Sequence, residues 1–158
     1  MKRTNVFLGF ICTLLLMLFA KSLAGEPGMN LNGAERDEIL KIRQLVWDSY
    51  FSNDQPRLKA LISEDFLTIN PGEEHWQNRT EFLAGAQAFA QHHGKLVSLV
   101  FPRTEVRKFG DVAVLYSLVR ITMESDSGRE SLDCRSTEIF EKRHGQWVNA
   151  GAHVDSGQ

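Results

Sequence analysis

The chain changes its hydrophobic periodicity once, near residue 94, and that single change restricts the folds open to it. Between residues 34 and 91 apolar side chains recur at spacings of three and four; from residue 95 onward they fall in β-branched and aromatic runs separated by turn residues. Over residues 34–51 the stripe Ile39, Ile42, Leu45, Val46 and Tyr50, flanked by Trp47, predicts an amphipathic helix. Asp54-Gln55-Pro56 breaks it, and Pro56 suits the first turn of a shorter helix carrying Leu58, Leu61 and Ile62. Phe66-Leu67-Thr68-Ile69 reads as a short strand closed by Asn70-Pro71-Gly72, and residues 73–78 as a polar loop around Trp76. Asn78 is placed to cap a third helix over residues 79–91; Asn78-Arg79-Thr80 also matches a glycosylation sequon. Strands are predicted over residues 96–101, an interruption at Pro102, then 106–109, 112–122, 130–142 and 146–156, with Gly110-Asp111 and residues 125–128 as turns. Helices first and strands afterwards predict a segregated α+β domain and argue against a parallel βαβ sheet.

Ahead of this region, Lys2 and Arg3 precede an apolar run over residues 6–20, and Ser22-Leu23-Ala24 ends it with small side chains. This predicts a secretory signal peptide over residues 1–24, cleaved after Ala24, and a periplasmic or secreted mature protein. The competing reading is an uncleaved anchor, for which about 15 apolar residues fall short of the ~20 that a bilayer requires. Glu26 stands where a lipidated cysteine would have to be. Residues 25–33 read as a flexible tether and residues 34–158 as the domain. Removing Lys2, Arg3 and Lys21 leaves 15 of 18 basic residues against 20 acidic ones, so the formal charge moves from -2 to -5. That acidic balance carries no footprint for nucleic acid, and after cleavage none for a membrane. Cys134 is then the only cysteine, either packed as a small apolar residue or exposed and able to join two chains. No Cys or His cluster has metal-ligand spacing, because adjacent His92 and His93 diverge by about 100° on a helix.

The order of these elements, together with several local features, resembles the nuclear transport factor 2-like superfamily in its SnoaL-like branch. Those features are the Trp47-containing first helix, Leu58 and Leu61 before Asp65-Phe66, Ile69-Asn70-Pro71-Gly72, Gly110-Asp111-Val112-Ala113, and His144-Gly145-Gln146-Trp147-Val148 followed by His153. The resemblance implies a cone-shaped, curved antiparallel sheet with three N-terminal helices packed on its concave face. It also implies a pocket between sheet and helices, and homodimers formed through the sheet.

Turn chemistry registers the last hairpin. A three-residue turn with Gly145 in the left-handed position pairs Lys142 with Gln146 and sets Arg135 opposite His153, Thr137 opposite Gly151 and Ile139 opposite Asn149. On that register Arg135, Thr137, Asn149 and His153 face the cavity, while Cys134, Phe140, Val148, Ala150 and Val154 form a small apolar face suited to a dimer or a helix cover. A slip of one residue reverses the assignment. Arg135 beside His153 would make a cationic spot for a carboxylate or an enolate-like oxygen, neutralised instead if Asp155, Asp65 or Glu138 pairs with it. Trp47, Tyr50, Phe66 and Trp76 would supply aromatic walls and Tyr116 a hydroxyl, each with core packing as its alternative role.

Three functions follow as expectations. The first is an exported module holding a small, partly apolar, anionic molecule. The second is an isomerase, cyclase or dehydratase working without a cofactor, with His153 as base, Tyr50 or Tyr116 as donor, and Asp65 or Asp155 orienting the ring. No carboxylate is clearly placed on the central strands, which weighs against it. The third is a dimerisation unit with no ligand.

Overall fold

The structure, a computed structural model, describes residues 31–156; the expected signal peptide and most of the tether lie outside the described residues. Helix α1 spans Gly33–Phe51, and its N-cap Asn32 accepts a hydrogen bond from the Glu35 backbone N–H at 2.8 Å. Leu31 already packs on the core, so residues 31–33 of the expected tether belong to the domain. Asp54 caps α2, Gln55–Leu61, with Pro56 in its first turn. Ile62 then opens strand β1, Ile62–Ile69, four residues before the predicted start. A two-residue strand, β2, Gln77–Asn78, pairs with Leu67 and Thr68. Asn78 also starts α3, Arg79–Gln91: its side chain accepts from the Thr80 and Glu81 backbones while Glu81 reaches back to the Asn78 N–H, a reciprocal capping box.

Four long strands follow: β3, Lys95–Phe109; β4, Val112–Ser125; β5, Gly128–Arg143; and β6, Gln146–Ser156. The six-stranded sheet has the order β2-β1-β6-β5-β4-β3 and is antiparallel except where β1 runs parallel to β6. Pro102 does not divide β3. It lies in an edge strand, at a shift of register between Val100 and Arg103, where a missing N–H breaks no ladder that the strand needs.

The sheet curves around α1. Its concave face buries Ala113, Leu115, Val119 and Ile121 of β4 with Cys134 and Phe140 of β5. One core cluster packs Ile39 with Leu115, Phe140 and Trp147; a second packs Val46 with Leu58, Phe66 and Ala86; a third packs Val119, Ile121, Cys134 and Val154. Within the apolar stripe of α1 sits one buried cation, Arg43, which donates to Thr104 Oγ1 at 2.7 Å and lies 3.6 Å over the Phe101 ring. Among the described residues no helix is long and apolar enough to cross a membrane.

The last hairpin departs from the expected register. His144 and Gly145 both adopt left-handed backbone, φ 51 and 82, and make a two-residue turn that pairs Arg143 with Gln146. The three-residue alternative is thereby replaced, and every β5 side chain changes face. A bulge then inserts Ala150: Phe140 lies opposite Asn149, but Ile139 lies opposite Gly151. Beyond it Thr137 faces His153 and Arg135 faces Asp155. At the same point β1, paired in parallel, lies so close that a Cβ on Gly151 would be 2.7 Å from the Leu67 carbonyl oxygen. Gly151→Ala is therefore expected to cost about 2 kcal/mol in urea denaturation, because a paired backbone cannot withdraw as a flexible side chain could. An unchanged midpoint would contradict this close approach.

Candidate functional site

Between the second and third core clusters the packing leaves a cavity of about 290 Å³, bounded by α1, α3, the loop after β1 and the concave face of the sheet. The helices supply Trp47, Tyr50, Phe51, Phe82 and Phe89, and β1 supplies Phe66. From the sheet come Ile121, Met123, Leu132, Cys134 and Val154, with Ala152 beside them. Its polar points are few: Glu138, Asn149, Thr68, the Tyr50 hydroxyl, and Asn70 and Glu73 of the loop. No Lys, Arg or His lines it among the described residues.

Glu138, which the sequence offered only as a partner for Arg135 and His153, is the central polar group of the cavity. It stands on the central strand β5, 1 % exposed, and points into the cavity. One carboxyl oxygen, Oε1, accepts from the Trp47 indole N–H at 3.1 Å; Oε2 is buried with no hydrogen-bond partner. Burial pushes its pKa up from 4.5 to about 7, against the opposing pulls of the Trp47 N–H, the Arg43 charge and the nearby Ser136 hydroxyl, which lies outside hydrogen-bond geometry. An acid of that strength exchanges a proton near neutral pH, as acid–base work requires. The expectation that the central strands lack a placed carboxylate is therefore corrected. The available signal was the alternation Cys134, Ser136, Glu138, Phe140, which puts Glu138 on the apolar parity of its strand.

Neighbouring groups fix this geometry. Asn149 Oδ1 accepts the Gly151 N–H at 2.9 Å, bracing the bulge beneath the cavity. Tyr50 has its pKa raised, first by burial and then by Glu73, so its hydroxyl stays protonated. Burial, then Asp133 and Asp155, raises Cys134, which is 3 % exposed and remains a thiol rather than a nucleophilic thiolate. Among the described residues no three His, Cys, Asp or Glu side chains group to hold a metal.

The structure divides the residues singled out from sequence. Trp47, Tyr50, Phe66 and Asn149 come together on the cavity wall. Arg135, Thr137 and His153 lie on the sheet's outer face, because the two-residue turn shifts β5 and the Ala150 bulge then shifts β6. Arg135 is 62 % exposed and paired with Asp155 at 2.9 Å, so the expected cationic spot does not face the hollow. His153 is exposed and meets the edge of Trp76 at 6.4 Å, which places Trp76 outside the cavity as well. Tyr116, paired with Thr137, is on that same outer face and half exposed. Asp65 points outward to Ser63 and Arg143, which hold its pKa below the usual carboxylate range. His153 thus has neither Asp65 nor Tyr50 beside it for the proton transfer envisaged, and Asp155 is engaged by Arg135.

Comparison with known proteins agrees with this architecture. Residues 39–154 match the SnoaL-like domain family. A nuclear transport factor 2-like protein from Cytophaga hutchinsonii is similar at 20% identity and TM-score 0.68, over 80% of this chain and 100% of that one. A nuclear transport factor 2-like protein of unknown function in nutrient uptake from Rhodospirillum rubrum is similar at 18% identity and TM-score 0.66, over 76% and 98%. An uncharacterized protein with a cystatin-like fold from Caulobacter vibrioides is similar at 18% identity and TM-score 0.65, over 80% and 92%. Among curated proteins none matches the sequence.

Proposed function

Since the chain belongs to the SnoaL-like domain family, within the nuclear transport factor 2-like superfamily, we propose that it holds one small, largely apolar molecule in this cavity, with the molecule's polar end against Glu138. The observation that carries the reading is Glu138, a buried carboxyl group with one oxygen, Oε2, unpartnered, among the residues that line an otherwise apolar hollow. A buried polar atom without a partner costs about 1–3 kcal/mol, more when charged, and a ligand donor removes that penalty. The volume fits a small ligand, at the lower end of the roughly 300–1,000 Å³ common for such pockets. The apolar leader over residues 6–20 supports an exported setting for it.

Cyclohexylmethanol, an alcohol on a compact apolar ring, is a direct probe. Ligand-observed NMR is expected to show it binding the native protein and not Ala152→Phe, whose new ring fills the hollow from the sheet side. Equal binding to both proteins, or to neither, would sink the reading.

The outer face supports homodimer formation as a second property. Leu67, Tyr116, Leu118 and Ile139 are each between 43% and 50% exposed there, and Leu67 and Ile139 flank Gly151 in one row across the sheet. Grouped apolar exposure of this kind marks association surfaces. Ile139→Glu is expected to turn a sedimenting dimer into a monomer while leaving the melting temperature of the isolated domain within a few degrees, since the side chain is solvated in one copy. A native protein that sediments as a monomer would remove this part.

A further inference from the structure

We propose that the cavity selects an organic cation: a small alkyl- or arylammonium whose charge rests against the Glu138 carboxylate among the aromatic walls. The inference rests on the cavity being a ligand site and adds the chemical class of its occupant. It reverses the sign expected from Arg135 and His153, both of which face away.

The lining carries the argument. Its acidic side chains are Glu138 in the wall and Glu73 in the loop, the latter bonded by Asn70 and Gln77, and no basic residue offsets them among the described lining. Six aromatic rings surround the space, and ring faces attract a cation that water has left. What the cavity leaves unpaired is an acceptor, Oε2 of Glu138, whereas an ammonium group offers donors alone. Asn149 Oδ1 is already used by the Gly151 N–H, so the Glu138 oxygen is the point to which a donor is drawn. An anionic occupant would instead meet like charge in a desolvated site.

Charge balance fits as well. Arg43 faces Glu138 from α1 but stays outside the lining, held by Thr104 and by the Phe101 ring. With one arginine against two carboxylates, a single bound cation makes the group neutral.

The proposal implies a definite pH response. Around Glu138 the charged and titratable groups are Arg43 and Tyr50 from α1, Cys134 on its own strand, and Glu73 from the loop; β1, β4, β6 and α3 present Thr68, Ile121, Met123, Asn149, Val154, Phe82 and Phe89. Tyr50 and Cys134 stay neutral and Arg43 stays charged, so Glu138 is the group that switches near neutrality. Ammonium binding requires its ionised form, and affinity therefore rises with pH up to about 7 and levels off above it.

Cyclohexylmethylamine, cyclohexylmethanol and cyclohexanecarboxylate differ only in the polar end and make the test. By titration calorimetry at pH 8 the amine is expected to bind about tenfold more tightly than the alcohol, and the carboxylate not at all. At pH 6 the amine should bind about tenfold more weakly than at pH 8, the alcohol equally at both. Glu138→Gln should remove the amine's tenfold advantage over the alcohol at pH 8 and the amine's dependence on pH. An alcohol that matches or exceeds the amine at pH 8, or an amine whose affinity ignores pH, overturns the cation while the ligand site stands. Should none of the three bind, the ligand site falls and takes the cation with it. The pH series needs only the native protein, so it decides the matter even where Glu138→Gln does not fold.

Discussion

Glu138→Gln is expected to flatten the pH dependence of stability between pH 4.5 and 8, gaining about 3 kcal/mol on the native protein across that interval. The folded carboxyl titrates at about 7, the unfolded one near its ordinary 4.5. Between those values the native state binds a proton that the unfolded chain has lost, so stability falls as pH rises. The contribution is fully present below 4.5 and gone once pH has passed through about 7. Glutamine keeps the acceptor for the Trp47 N–H and cannot ionise, so at acid pH the two proteins should differ by little more than the burial of one amide N–H group. Every other carboxylate is common to both chains, and its titration cancels in the difference. Urea denaturation at pH 5 and pH 8 reads the effect; parallel pH profiles would mean that Glu138 is not buried.

Trp147→Ala should be the most damaging single truncation, costing about 4 kcal/mol. The ring is 2 % exposed and packs with Ile39, Leu115 and Phe140, where α1 meets the sheet. Lys108 and Lys142 place their ammonium groups 5.9 and 5.6 Å from its centre, adding modest cation–π attraction. Because this cluster is separate from the cavity wall, the loss should appear in denaturation while cyclohexylmethanol still binds the fraction that is folded. A cost below about 1 kcal/mol would show that the sheet does not close over α1 as described.

Much of the fold was legible because its signals are local. The α1 stripe, the Asn78 cap and the Pro56 helix start each depend on a few adjacent residues, and the structure has all three. The long strands were visible for the same reason, although β3 was read as two pieces and the short β2 as part of a polar loop. The pairing of β1 with β6 was not, since it joins segments 84 to 87 residues apart and is parallel. Ile62 shows the limit at a boundary: it fits the apolar spacing of α2, yet its partner across the sheet, Asn149, draws it into β1.

The site was harder to read because its orientation hangs on one turn and one bulge. Arg143-His144-Gly145 is compatible with a two- or a three-residue turn, and the choice inverts a whole strand. Burial was the better guide. Of the apolar face read as Cys134, Phe140, Val148, Ala150 and Val154, the structure buries Cys134, Phe140 and Val154 and leaves Val148 and Ala150 half-buried, whereas preference for chemically capable residues had drawn Arg135, Thr137 and His153 inward. The Ala150 insertion has no signal in residue type. Gly151, pressed against the Leu67 carbonyl, marks its neighbourhood only once β1 and β6 are known to pair there.

The central claim, a carboxyl held out of water at the wall of an open cavity, can be read at one atom. With 13C-labelled glutamate, the side-chain carboxyl signal assigned through Glu138→Gln should titrate near pH 7 in the ligand-free protein and move to lower pH when cyclohexylmethylamine is added. A midpoint near 4.5 that the amine leaves untouched would place Glu138 in solvent and contradict the account.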